Sequence, residues 1–335
     1  MAGTVVSPSQ DELVGCVDAA VQAPSIHNSQ PWQFLLVPGG VEVHSDPSRR
    51  LPAVDPQGRS MHISLGAAVL NLRLAVRYLG RREHTELLPD PRDRRHVATV
   101  RAGERYTPGG DDEELYEAIP HRRSNRSPFE DVPPPPGALE PLITAAAAEG
   151  AELRFLDQDE SDFLLYLALM ADERRRESPA YRRELYNWVT DDPYRDDGIP
   201  LAAVGPWTEG GPVSLRDLAP DREVPGRASV RLEREPTVAV LTVRGEDAPP
   251  QWLRAGQAMQ RVWLDATRRG LAVSVFTTPL EDPELRDALR RPSDPITYVA
   301  FRLGYAPPAA ATPRRPVDEV IAYTRPVPIR PPHLG

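Results

Sequence analysis

The sequence contains no lysine, so all 40 of its basic side chains are arginines. That fits a coding bias toward Arg, Ala and Pro. Its chemical consequence is that every cationic contact is a guanidinium, a group suited to bidentate binding of phosphate. The single cysteine, Cys16, excludes an intramolecular disulfide and any multi-thiolate metal site. Its helical spacing with Leu13, Val17 and Ala20 reads as a buried structural thiol. No uncharged apolar run approaches the roughly 20 residues needed to span a bilayer. The opening MAGTVVSPSQDEL lacks the basic start and apolar stretch of a signal peptide, so a cytoplasmic protein with no membrane partner is expected. Glycine-rich phosphate loops of the GxGxxG or GxxxxGK[ST] type and GxSxG nucleophile elbows are also missing. The histidines, at 27, 44, 62, 84, 96, 121 and 333, never recur at the short spacings that build a metal cage, and no metal is expected.

What remains is a chain of 335 residues, about two domains' worth. It carries 39 prolines, more than twice the usual proportion of about 5%, so many loops are stiff and extended. The net charge of −9 argues against a general nucleic-acid binder but leaves room for a local cationic pocket. Paired acids at Asp111-Asp112, Asp191-Asp192 and Asp196-Asp197 read as solvated loop charges.

Apolar periodicity predicts helices over 10–22, 61–79, 111–119, 138–148, 161–176 and 251–269. Strands are expected over 32–37, 41–44, 96–102, 152–156, 237–243 and 298–303. The apolar stripe of the helix at 161–176 runs through Phe163, Leu164, Leu167 and Met170. Residues 190–228 are rich in Pro, Gly and Asp without a clear period, and RPVPIRPPHLG at the end reads as an extended arm. ISLGAAVLNLRLAVRYLG (63–80) aligns with LRAGQAMQRVWLDATRRG (253–270), placing Gly66 over Gly256 and Gly80 over Gly270 at one offset of 190. Similar strands follow, VATVRAG and VAFRLG. Helices often end in glycine, so the match suggests an internal duplication without establishing one.

Three segments stand out chemically. Pro24-Ser-Ile-His-Asn-Ser-Gln-Pro-Trp32 sets short polar side chains between two prolines on a helix-to-strand connection. It reads either as a rigid grip for a flat heterocycle or as a helix-terminating turn bonded to its own backbone. Arg122-Arg-Ser-Asn-Arg126 offers a fork for phosphate or carboxylate oxygens, or else is a solvated basic turn. Thr312-Pro-Arg-Arg-Pro316 restrains two arginines between prolines.

Together these segments resemble the nitroreductase family of FMN-binding oxidoreductases, in which an R-R-S-x-R stretch and a P-S-x-x-N-x-Q-P-W turn flank one helix. Here the two are split: residues 122–156 keep the arginine motif and end their helix in Glu149-Gly150, whereas the first half keeps the PSIHNSQPW turn and lacks the arginines. The wording SIHNSQPW, HRRSNRSPF, WLRAGQAMQ and TPRRPV is similar to an actinobacterial subgroup with two fused halves. The resemblance implies an α+β fold in which two nitroreductase-like halves, 1–108 and 109–335, form a pseudo-dimer with one complete FMN site and one ruined one. The stretch 190–228 has no counterpart in the single-domain pattern and reads either as a lid, anchored by Trp207 and Ile199 with Asp196 and Asp197 repelling nicotinamide phosphates, or as an ornamental surface loop.

The resemblance further implies Arg122, Arg123, Ser124 and Arg315 at the flavin phosphate. Arg126 is expected near the pyrimidine edge, where its charge would raise the flavin potential. Pro24, Ser25 and Asn28 would lie against the ring or ribityl chain, and Phe276 and Thr277 near N5. Hydride would pass from NAD(P)H to a nitroaromatic or quinone-like acceptor with no catalytic side chain required. The competing expectation is a protein that sequesters FMN with little turnover. The chain would act as a monomeric pseudo-dimer or a weak homo-oligomer.

Overall fold

A computed structural model describes residues 7–208, 216–289 and 294–322. The proline-rich arm expected at 325–335 lies outside the described residues. Helix α1, Gln10–Val21, begins at a reciprocal capping box in which Ser9 accepts from the Glu12 amide and Glu12 accepts from the Ser9 amide. Strands β1, Trp32–Val37, and β2, Gly40–Ser45, form a hairpin. Helix α2, Arg59–Tyr78, then leads to β3, Arg81–Leu87, and β4, His96–Arg105. These strands make an antiparallel sheet in the order β1-β2-β4-β3.

The plan repeats. A short helix α3, Gly110–Ala118, precedes α4, Pro136–Ala147, and β5, Glu152–Phe155. After an excursion through α5, Gln158–Arg176, and α6, Pro179–Trp188, come β6, Thr237–Val243, and α7, Pro249–Arg268. Strands β7, Ala272–Phe276, and β8, Ile296–Gly304, complete a second antiparallel sheet in the order β5-β6-β8-β7. The same order of elements and the same strand order in both sheets make this an α+β fold of two fused, equivalent halves.

The halves join where α2 crosses α7, and the crossing explains the aligned glycines. A Cβ on Gly66 would sit 2.2 Å from the Leu253 carbonyl oxygen, and one on Gly256 would sit 2.0 Å from that of Ile63. Ile63 and Leu253 are themselves separated by the offset of 190, so the contact is symmetric about a local twofold axis. Only hydrogen fits between the two backbones.

Sequence patterning missed β3, α6 and β7, among other short elements, for physical reasons. Strand β3 is a polar edge strand whose residues alternate between half-buried and exposed. Helix α6 buries only Tyr181 and Leu185, too thin a stripe to read. Strand β7 is partly covered by irregular chain. In α5 the buried face is Leu164, Leu165, Leu167, Ala168 and Ala171, and Phe163, expected on that face, is exposed. The excursion within the second half packs into a separate small apolar cluster with the first half: Tyr181, Leu185, Val189, Ile199, Val204 and Leu218 pack with Leu51 and Val54.

Candidate functional site

The PSIHNSQPW turn follows α1 and carries three non-glycine residues in the left-handed region: His27 (φ 50°), Asn28 (φ 52°) and Gln30 (φ 49°). Such conformations cost of order 1–3 kcal/mol each unless the surroundings fix them. Here they are fixed. Ser25 Oγ accepts from the Gln30 amide at 2.9 Å, and Ser64 Oγ of α2 accepts from the Ile26 amide at 3.1 Å. Asn28 Nδ2 donates to the carbonyls of Gly198 (2.9 Å) and Pro313 (3.1 Å), while its Oδ1 accepts from Arg314 Nη1 (3.0 Å). Asn28 therefore ties the turn to the 190–228 stretch and to the loop after β8. That loop passes back to the first sheet, where the Ala322 amide donates to the Phe34 carbonyl of β1.

The arginine motif lies along the open edge of the second sheet. Ser124 bridges Val273 of β7, and the Asn125 amide donates to the Val273 carbonyl at 2.9 Å. Turn, arginine motif and C-terminal loop meet around one cavity of about 400 Å³, within the range of small-molecule and cofactor sites. Pro24, Ser25, Asn28, Arg122, Arg123, Ser124, Arg126, Phe276 and Thr277 all line it. Arg315 does not. Its amide donates to Gln30 Oε1 (2.9 Å) and its Nη2 to the Glu319 carbonyl (3.0 Å), so its neighbour Arg314 faces the cavity instead. Between two adjacent arginines in an extended loop, sequence alone does not reveal which side each one takes.

The electrostatics of this wall are one-sided. Arg122, Arg123, Arg126, Arg216 and Arg314 line the cavity, and none forms an ion pair with a carboxylate among the described residues. Burial, then Arg314 and Arg123, pushes Arg122 well below the usual guanidinium value. Burial also brings Arg126 and Arg314 down to about 10. Nε and Nη1 of Arg122 are buried without a hydrogen-bond partner, as is Nε of Arg314. A buried cation without a counter-ion is costly, and a bound anion removes that cost. Beneath them the Arg122 guanidinium lies 4.5 Å from the centre of the Trp263 ring. Trp263, Met259, Ser60, Ile63 and Ser64 also line the cavity but were not expected in the site, because they lie on helix faces that read as ordinary core.

The 190–228 stretch supplies the remaining wall through Ile199, Ala202, Ala203, Gly205, Arg216 and Leu218. Arg126 Nη1 donates to the Ala203 carbonyl at 2.9 Å, and Gln30 Nε2 to that of Asp196 at 2.8 Å. Ile199 is buried and lines the cavity. Trp207, expected as the second anchor, is 41% exposed, with the Arg227 guanidinium over its ring. Asp196 and Asp197 are not in the cavity wall, and Asp197 is held by Arg49 and Arg195, so neither is placed to repel an incoming phosphate. Arg216 brings positive charge instead. It donates to the Tyr181 hydroxyl (2.7 Å) and to His27 Nε2 (3.0 Å). Burial, reinforced by Arg216, Arg175 and Arg126, pushes His27 well below the usual imidazole value. Near Thr277, whose hydroxyl donates to Glu281 Oε1 at 2.6 Å, the Glu281 carboxyl is buried. Burial alone would raise its pKa, but Arg175 and Arg216 hold it below the usual value.

The twofold-related position is filled. Arg73 takes the place of Trp263 in the first half and donates to Glu83 (2.9 Å), Glu149 (2.5 Å) and Gln257 (2.7 Å). Arg261 reaches the same Glu149 at 3.0 Å, and Arg77 joins Glu83 to Asp112. Ion pairs thus occupy the space that is open in the other half.

Among the described residues no helix is long and apolar enough to cross a membrane. Away from the cavity, strand pairing assembles a cluster that histidine spacing did not reveal: Glu42, His44 and His96, all buried, with ligand atoms within 4.8 Å of one another. The legible part of the signal was the Glu-x-His alternation in β2, which sets both residues on one face.

The fold and site thus define a two-halved α+β protein with an arginine-lined cavity where the turn, the arginine motif and the C-terminal loop meet. No protein-family model matches the chain. The Mycobacterium tuberculosis (strain H37Rv) protein named "Putative NAD(P)H nitroreductase Rv3131" is 32% identical over 326 residues, covering 94% of this chain and 92% of its own. "Putative NAD(P)H nitroreductase acg" from the same strain is 30% identical over 323 residues, covering 92% of this chain and 95% of its own. Among solved structures, a nitroreductase with bound FMN from Desulfitobacterium hafniense DCB-2 is 17% identical and covers 63% of this chain and 98% of its own, with a TM-score of 0.39. On the sequence relatives, this chain belongs to the NAD(P)H nitroreductase family.

Proposed function

We propose that this protein is an FMN-dependent NAD(P)H oxidoreductase of the nitroreductase type, with its flavin in the arginine-lined cavity. The observation that carries the reading is the set of five cavity arginines that form no ion pair with a carboxylate among the described residues, beside a flat aromatic floor and a strained polar turn. The residues fit the cofactor. Arg122, Arg123, Ser124 and Arg314 hold the phosphate, and Arg315 supports them by fixing Gln30. Pro24, Ser25 and Asn28 lie against the ring system or ribityl chain, Phe276 and Thr277 border its reactive edge, and Arg126 stabilises negative charge at the pyrimidine edge. When bound, FMN supplies hydride acceptance from NAD(P)H and delivery to a nitroaromatic or quinone-like acceptor. The chain contributes binding, orientation and exclusion of water, and no side chain is assigned a proton transfer.

In this reading residues 1–108 and 109–335 are the two halves of a cytoplasmic pseudo-dimer, and 190–228 is a lid. The absorbance spectrum of the purified protein, followed by anaerobic addition of NADPH, tests the assignment. A flavin band that bleaches supports it. A band that persists indicates sequestration of FMN without turnover, and the absence of flavin after reconstitution overturns the cofactor itself.

A further inference from the structure

We propose that Glu42, His44 and His96 form a binding site for one divalent transition-metal ion of the zinc class, separate from the flavin cavity. Glu42 and His44 are two apart on β2 and so point to one face of the sheet. The third ligand arrives through a bulge. Strand β4 pairs Val43 with Ala98, and the register then slips so that His44 faces His96 rather than Val97. Bulges of this kind re-aim side chains beside functional sites, and this one brings a second imidazole beside the first. The two rings stack at 4.6 Å with planes 16° apart.

The donor set is chemically selective. Two imidazoles and a carboxylate suit zinc and its neighbours, not calcium or magnesium, and leave one tetrahedral position for solvent. Glu42 Oε2 lies 3.1 Å from His44 Nε2 and 4.0 Å from His96 Nε2. A tetrahedral ion with bonds of about 2.0–2.1 Å needs ligand atoms roughly 3.4 Å apart, so small side-chain rotations close the shell. His96 Nε2 also lies 2.9 Å from the Thr99 hydroxyl, a contact that loading would exchange for the metal bond. All three side chains are buried, and among the described residues His44 Nδ1 has no hydrogen-bond partner. None of the three lines the arginine cavity, so the site joins β2 to β4 apart from it.

The test uses untagged, flavin-loaded protein stripped with a chelator and exchanged into metal-free buffer. Titration with zinc chloride is expected to show one ion per chain with a Kd of about 1 µM or tighter. Glu42→Gln is expected to weaken binding at least about tenfold and His44→Asn to abolish it, both with unchanged flavin content. X-ray absorption of the zinc-loaded wild-type protein is expected to show two imidazoles and oxygen ligands at about 2.0–2.1 Å, and needs no variant to fold. Lack of binding at roughly a hundred-fold excess over that Kd overturns the site. So does wild-type affinity in both variants or an absorption spectrum without imidazole, either of which would leave Glu42 and the histidines as a proton-sharing cluster.

Discussion

The Arg122 guanidinium lies over the Trp263 ring at 4.5 Å, whereas the position equivalent to Trp263 in the first half holds Arg73, bound to Glu83 and Glu149. One member of the pair leaves a cavity floored by an aromatic surface, and the other fills its place with ion pairs. With FMN in the open position, as proposed, this asymmetry predicts the flavin stoichiometry. Flavin released by denaturation, measured against protein concentration, is expected at one FMN per chain. A ratio near two, or near zero after reconstitution with excess FMN, contradicts the assignment of one built and one filled site.

Arg122→Ala tests the phosphate contact. A hydrogen bond to a charged group contributes about 1.5–3 kcal/mol, so FMN affinity should fall roughly ten- to a hundred-fold. Riboflavin, which lacks the phosphate, should bind mutant and parent almost equally. Equal weakening of both ligands in titrations would instead make the arginine a support for Trp263.

The legible parts of this protein were those in which chemistry and chain direction coincide. Nine of the ten residues singled out in the sequence line one cavity because they sit in three short segments, 24–28, 122–126 and 276–277, that the fold brings together. The resemblance chose Arg315 where Arg314 faces the cavity, since an extended loop alternates its side chains and nothing in TPRRPV sets the phase. The duplication was weak as sequence identity but plain as topology. What it conserves is the order of elements and a glycine crossing, and few side chains are needed for either. The Glu42–His44–His96 cluster was hidden because a bulge, not sequence spacing, makes it.

Two glycines separate backbone contact from helix propensity. Gly66→Ala places a methyl 2.2 Å from a backbone oxygen at the junction of the halves. Overpacking of this kind costs about 1–3 kcal/mol or more. Gly15→Ala, in α1 with nothing within 4 Å of the new methyl, should instead stabilise by about 0.5–1 kcal/mol. Thermal unfolding midpoints moving in opposite directions are the expected result, and a neutral Gly66→Ala would contradict the close crossing.

Gly205 tests the lid. It has φ +83°, and a Cβ there would lie 2.7 Å from Cβ of Arg126. Gly205→Ala should therefore push the 190–228 wall off Arg126 and weaken the Arg126–Ala203 hydrogen bond. If that wall gates the donor, stopped-flow reduction of bound flavin by NADPH should accelerate about tenfold, equivalent to about 1.4 kcal/mol of barrier. Retained flavin with an unchanged rate would show that the wall shapes the cavity without gating it.

His27 gives stability a sign with pH. Its native pKa is held well below the usual imidazole value of 6.5 by burial first and by Arg216, Arg175 and Arg126 next. Above about pH 6.5 the residue is neutral in native and unfolded chains alike and adds no slope. Below that, the unfolded chain takes up a proton that the native chain refuses, so stability falls as pH falls toward the depressed native value. The contribution is at most about 1.4 kcal/mol per pH unit. His62, also depressed by burial, adds in the same direction. His27→Asn keeps an acceptor for Arg216, tolerates the left-handed backbone at φ 50° and cannot titrate. Urea midpoints between pH 7.5 and 5.5 should decline less steeply in this variant than in the parent, with the remaining slope carried by other groups such as His62. Parallel declines would mean that His27 charges in the native protein as readily as in the unfolded chain.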